Sequence, residues 1–90
     1  MPQQFVHDPQ AVLDYAWDWS TWLEPGETIT TATITTPTGL ALASQSIAGG
    51  RVVAWLCGGE PRTRYRVTCH ITTDRTREDD RTLVLWCDHR

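Results

Sequence analysis

Val53-Ala54-Trp55-Leu56-Cys57-Gly58-Gly59-Glu60-Pro61-Arg62-Thr63-Arg64-Tyr65-Arg66-Val67-Thr68-Cys69-His70-Ile71 reads as strand, tight corner, strand. The first five residues are an apolar run, and Gly58-Gly59-Glu60-Pro61 breaks it. From Arg64 the chain alternates with period two, so Tyr65, Val67, Cys69 and Ile71 share one face and Arg64, Arg66, Thr68 and His70 the other. A Tyr at the start of a strand, just past a Gly/Pro corner, matches the tyrosine corner of immunoglobulin-like sandwiches. There the ring is buried and the hydroxyl bonds back to the loop backbone. The fold expected is therefore all-β: an immunoglobulin-like or fibronectin III-like antiparallel β-sandwich of about six to seven strands.

Working outward toward the N-terminus, residues 40–44 alternate as a strand with Leu40 and Leu42 inward. Pro37-Thr38-Gly39 turns the chain before it. Residues 28–36 form a Thr-rich strand, because a branched Cβ suits a pleated surface. Ile29 and Ile34 differ in parity, so a bulge between them or cover on both faces is expected. Glu24-Pro25-Gly26-Glu27 has Pro second and Gly third, as a type II turn requires. Trp19, Trp22 and Leu23 are spaced i, i+3, i+4, which suits one short helical turn over 18–23 with Asp18 as its N-cap. The first strand is read over 11–17. Residues 1–10 are an N-terminal arm with a turn at Asp8-Pro9, and residues 11–90 are one sandwich domain.

Toward the C-terminus, 51–57 and 64–73 are the strands flanking the corner, 74–80 a charged hairpin loop, and 81–88 the last strand. In that strand Leu83, Leu85 and Cys87 oppose Val84 and Trp86. The core is expected from Tyr15, Trp17, Trp19, Trp22, Trp55, Tyr65, Val67, Leu83 and Leu85.

Composition excludes several roles. Ninety residues make one domain of modest stability. The net charge of −3 argues against nucleic acid as a partner. No apolar run approaches the roughly 20 residues that span a bilayer, so no membrane partner is expected. Met1-Pro2-Gln3-Gln4 has neither the basic nor the apolar part of a signal peptide, and the three cysteines are expected as reduced thiols.

Each candidate chemical site has a plainer explanation. Cys57, Cys69, Cys87, His70 and His89 are soft-ligand types but lack CxxC or HxxxH spacing. Cys69 and Cys87 fill inward positions as small hydrophobes, with a cross-strand disulfide as the alternative. Asp14 and Asp18 read as a solvated strand face and a cap rather than a Ca²⁺ or acid/base pair. No Ser/His/Asp order, GxSxG elbow or phosphate loop is present, so neither an enzyme nor a cofactor is expected. What stands out is Arg62, Arg64 and Arg66, a stripe of fixed charge with all basic residues in this chain being Arg. It reads either as a solvated face paired with Glu78, Asp79 or Asp80, or as a docking surface for an acidic partner. With outward Trp86, and Phe5 on the arm, these residues form the candidate partner interface.

His7-Asp8-Pro9-Gln10-Ala11-Val12-Leu13-Asp14-Tyr15, then Asp18-Trp19-Ser20-Thr21-Trp22-Leu23, then Glu27-Thr28-Ile29, resembles a family of small tailed-phage and prophage proteins. So do Trp55-Leu56 with Gly58-Gly59, Tyr65-Arg66-Val67, Ile71-Thr72-Thr73 and Asp79-Asp80-Arg81-Thr82-Leu83. The likeness spans residues 7–88, with other residue types expected at positions 10, 57, 69 and 87. Members are labelled phage fiber-tail adaptors or immunoglobulin-like virion proteins. The resemblance implies a non-enzymatic structural part of a tailed-bacteriophage virion, made in the bacterial host cytoplasm and present in several copies. As an adaptor at the neck or tail, it would link tail or connector proteins to fibres through Arg/Trp contacts and an arm that orders on assembly. The alternatives are a capsid-surface decoration protein and a carbohydrate-binding module stacking exposed Trp rings on sugars.

Overall fold

The computed structural model describes residues 3–8 and 11–88; Pro9, Gln10 and His89 lie outside them. Among the described residues the chain forms β1 (Gln3–His7), β2 (Val12–Asp18), β3 (Ile29–Thr35), β4 (Leu40–Ala48), β5 (Arg51–Gly58), β6 (Thr63–Thr73) and β7 (Glu78–Cys87). They make a four-stranded sheet in the order β1-β7-β6-β3 and a three-stranded sheet in the order β2-β5-β4. The fold is an all-β sandwich, as the period-two patterning requires. In immunoglobulin constant-type domains, strands one, two, five and four share one sheet and strands three, six and seven the other. Here strands two to seven keep those neighbours, while the first pairs with the last.

Each strand contributes alternate residues to one core between the sheets. Tyr65, Val67, Cys69 and Ile71 of β6 are buried, as are Leu83, Leu85 and Cys87 of β7. The other sheet supplies Tyr15, Trp17, Val52, Ala54 and Leu56, and Trp19 closes one end with its ring wholly buried. Trp55 is a correction: it is 41% exposed, because Val52, Ala54 and Leu56 take the inward parity of β5. Trp22 is only partly buried against the core.

The corner between β5 and β6 holds as its residues suggest. Tyr65 is buried, and its hydroxyl accepts the Glu60 N–H at 2.8 Å. Gly59 is required there twice over. Its φ is +98°, and a Cβ would sit 2.5 Å from Cys87 Sγ.

Three local expectations need correction. Gln3–His7 is a strand rather than an arm: it runs parallel to β7 in the register Phe5↔Leu85 and His7↔Cys87. Phe5 and His7 face inward there, which ties the segment to the core. The 18–23 stretch forms no helix. It is a single bonded turn in which the Trp22 and Leu23 N–H groups both donate to the Trp19 carbonyl, at 2.9 and 3.0 Å. The last strand begins at Glu78 rather than Arg81, since Glu78, Asp79 and Asp80 already pair with Thr72, Ile71 and His70. The type II turn is present, with Glu27 N–H donating to the Glu24 carbonyl at 2.9 Å and Gly26 at φ +81°. So is a bulge in β3, between Ile29 and Thr31.

Candidate docking face

Pairing of β1, β7 and β6 decides which side chains share the outer face of the four-stranded sheet. The row Val6–Trp86–Arg64 lies at one end, with Val84 and Arg66 in the next row. Trp86 is half-buried, Val84 is buried, and Val6, Arg64 and Arg66 are exposed. This places two guanidinium groups beside an apolar strip that continues onto β1. Arg62 sits in the preceding corner rather than on the strand, at φ +59°, with its N–H donating to the Cys87 carbonyl at 2.6 Å. It therefore flanks the same end.

Of the five interface candidates, then, the fold brings Arg64, Arg66 and Trp86 together and sets Arg62 at their rim. Phe5 goes elsewhere. It shares the inward parity of Leu85 and meets the Tyr15 ring edge-on, with centroids 5.4 Å apart. Val6 takes the outward position in its place. Its parity is set by the parallel pairing with β7.

The acidic residues of the β6–β7 hairpin do not neutralise this end. Among the described residues, Arg62, Arg64 and Arg66 have no carboxylate partner. Glu78 and Asp80 instead hold His70, two rows further along the same face. Its Nε2 lies 2.8 Å from Glu78, and its Nδ1 bonds Asp80. Both ring nitrogens can donate only in the imidazolium form. The Asp80 and then Glu78 hydrogen bonds accordingly raise the His70 pKa above its usual value. Between the two ends, Thr68 and Thr82 hydroxyls bond at 2.9 Å. The face thus runs from basic and apolar at one end to acidic at the other.

Arg77 and Arg81 are engaged at the far end of the molecule. Arg81 donates to the Asp18 carbonyl at 2.7 Å and lies 5.0 Å from the Trp19 ring centroid. Arg77 covers Trp22 at 4.0 Å and bonds the buried carboxylate of Glu27. Thr73 Oγ1 and the Glu24 N–H complete that carboxylate's donors at 2.6 and 2.9 Å. The Arg77 bonds, ahead of the others, pull the Glu27 pKa down to about 2. No local pattern signals this network, because its partners are fifty positions apart.

The cysteines are free thiols. Burial pushes Cys69 up to about 12 and raises Cys87 as well, which suppresses the thiolate that nucleophilic or ligand chemistry needs. Among the described residues no group of three His, Cys, Asp or Glu side chains stands in an arrangement able to hold a metal ion.

A protein-family model described as podophage GP4 fiber-tail adaptor protein gp77 matches residues 7–86. No curated protein matches the chain.

Proposed function

The chain belongs to the podophage fiber-tail adaptor family, and on that premise we propose that it is a non-enzymatic adaptor joining tail or connector proteins to fibres at the neck or tail. Its sandwich, 41 Å in longest extent, serves as a rigid spacer. The Arg64–Trp86–Val6 end of the four-stranded sheet, with Arg66 beside it and Arg62 at its rim, docks an acidic and apolar surface of a tail or fibre protein. One observation carries this: cations with no carboxylate partner among the described residues flank a half-buried Trp on that end, while Arg77 and Arg81 are engaged within the fold. Arg and Trp are the side chains from which interface hot spots are most often built. The protein is made in the host cytoplasm and taken into the particle in several copies.

Calorimetric titration against the tail and fibre proteins of the same phage tests the docking face. R64E/R66E is expected to weaken binding at least tenfold while leaving the unfolding curve close to that of the parent. Equal binding by parent and variant would remove this face from the proposal. A second reading, a carbohydrate-binding module, draws support from Trp55, whose exposed ring lies between Asp14 and Ser44 on the outer face of the three-stranded sheet. Quenching of Trp fluorescence by host polysaccharide, abolished in W55A, would favour it. The capsid-decoration alternative is separated by copy number per particle.

A further inference from the structure

We propose that Trp55 and Asp14, side by side on the outer face of the three-stranded sheet, form a socket for an arginine side chain of a protein partner. The socket is a second docking face, on the sheet opposite the Arg64–Trp86 end.

Among the described residues, a tryptophan ring, a guanidinium and a carboxylate meet twice. Arg77 lies 4.0 Å from the Trp22 ring centroid and bonds the Glu27 carboxylate. Arg81 lies 5.0 Å from the Trp19 centroid, with its Nε 3.8 Å from the Asp79 carboxylate. Trp55 and Asp14 repeat the ring and the carboxylate without the cation. They are direct cross-strand partners, and both side chains are exposed. Residues directly opposite in an antiparallel pair hold their Cβ atoms roughly 4.5–5.5 Å apart, so one guanidinium can cover the ring and reach the carboxylate. Among the described residues no Arg covers Trp55 and none pairs with Asp14. Arg51, also on β5, stands two rows away beside Asp18.

The ring is accessible. A bulge in β4 between Leu42 and Ser44 sets Ser44 opposite Trp55 on its other side. The adjoining rows are Val12–Cys57–Ala41 and Ala16–Val53–Ser46. None of these side chains is larger than Val, so the indole is the largest group on this part of the face.

This chemistry selects an arginine over a sugar. A Trp face attracts a cation more strongly than other aromatic rings do, and Asp14 supplies the opposite charge. A planar guanidinium satisfies both, stacking on the ring while it donates to the carboxylate. A stacked sugar needs polar partners for its hydroxyl groups, whereas Val12, Ala16, Val53 and Ala41 offer none from their side chains. Those residues fit instead the aliphatic stem of an arginine. The two sheets thus favour partners of opposite character, acidic on one side and basic on the other. That a tail or fibre protein supplies the arginine rests on the adaptor reading; the socket itself does not.

NMR of the full chain tests the socket without any phage partner. N-acetylarginine amide, titrated to ~50 mM at constant ionic strength to reach weak single contacts, is expected to shift the Trp55 indole N–H more than any other indole. The neutral isostere N-acetylcitrulline amide is expected to shift it about threefold less, and D14N to reduce the arginine shift similarly. Both D14N and W55A alter exposed side chains, and circular dichroism checks that each variant is folded. In calorimetric titration against the tail and fibre proteins of the same phage, each variant is expected to weaken binding of one of them about fivefold. Equal shifts by the two amides, a shift indifferent to D14N, or host polysaccharide moving Trp55 alike in parent and D14N would overturn the socket. Unchanged calorimetric affinities in both variants would overturn its role in docking. Should neither phage protein bind the parent, the adaptor reading fails, and the amide titration still decides the socket.

Discussion

Arg77 and Glu27, fifty positions apart in the chain, hold one end of the sandwich together: the guanidinium donates to both oxygens of a carboxylate whose side chain has no solvent exposure. The same guanidinium donates to the Trp22 carbonyl at 3.1 Å and covers that residue's ring. It thereby ties the 22–27 loop to the β6–β7 hairpin. Removing either member strands a charged group whose other donors are already committed.

This pair sets the acid stability. Glu27 has a folded-state pKa of about 2 against an ordinary 4.5, so its contribution is present above pH 4.5 and is lost as pH falls toward 2. E27Q is expected to melt below the parent at pH 7, with the gap closing between pH 4.5 and 2. Thermal melts of both proteins across that range check it. A gap that does not change with pH would mean that the carboxylate's charge is not what stabilises this end.

His7 and His70 should titrate on opposite sides of the usual value of 6.5. Burial lowers His7, whose Nδ1 lies 2.8 Å from the Tyr15 hydroxyl, while the Asp80 and Glu78 bonds raise His70. His70 stabilises the fold at low pH and loses that contribution as pH rises through its raised pKa. His7 acts oppositely, with stability falling as pH drops below 6.5. Imidazole resonances followed by NMR over pH 4–9 read both directions directly.

The corner of Tyr65 predicts a small and a larger effect. Tyr65→Phe removes one hydrogen bond, to the Glu60 N–H, and is expected to cost about 1 kcal/mol. Gly59→Ala forces a side chain onto a left-handed backbone and against Cys87 Sγ, for roughly 1–3 kcal/mol. Urea denaturation ranks the two, and the reverse order would contradict the packing described.

Two tryptophans that look alike in the sequence should differ sharply. Trp19→Ala empties a wholly buried site, at about 3–5 kcal/mol. Trp55→Ala acts on a ring at the outer surface and is expected to stay within about 0.5 kcal/mol. Equilibrium unfolding measures both.

Much of the fold was legible because period-two alternation is a local property. Arg64 to Ile71 announces its buried face, Glu24-Pro25-Gly26-Glu27 its turn, and the parity change from Ile29 to Ile34 its bulge. The failures have physical causes too. Phe5-Val6-His7 carries too few residues to display a period, and it became a strand only because β7 offered a parallel partner. Trp55 sits in an unbroken apolar run, so nothing local said which parity faced inward. The i, i+3, i+4 spacing of Trp19, Trp22 and Leu23 marked a turn but not a helix, because Trp19 is held in the end of the core. Of the candidate face, the Arg stripe and outward Trp86 were visible, but their isolation from Glu78 and Asp80 was not.

The order of residues alone determined that this chain is a β-sandwich with a buried Tyr65 corner, since side-chain alternation and turn chemistry act over a few neighbouring positions. Only the tertiary structure decided which cations lack a carboxylate partner among the described residues, which strands neighbour one another, and which carboxylate is buried. Those outcomes depend on strands distant in the chain meeting in one register, and no short stretch carries that information.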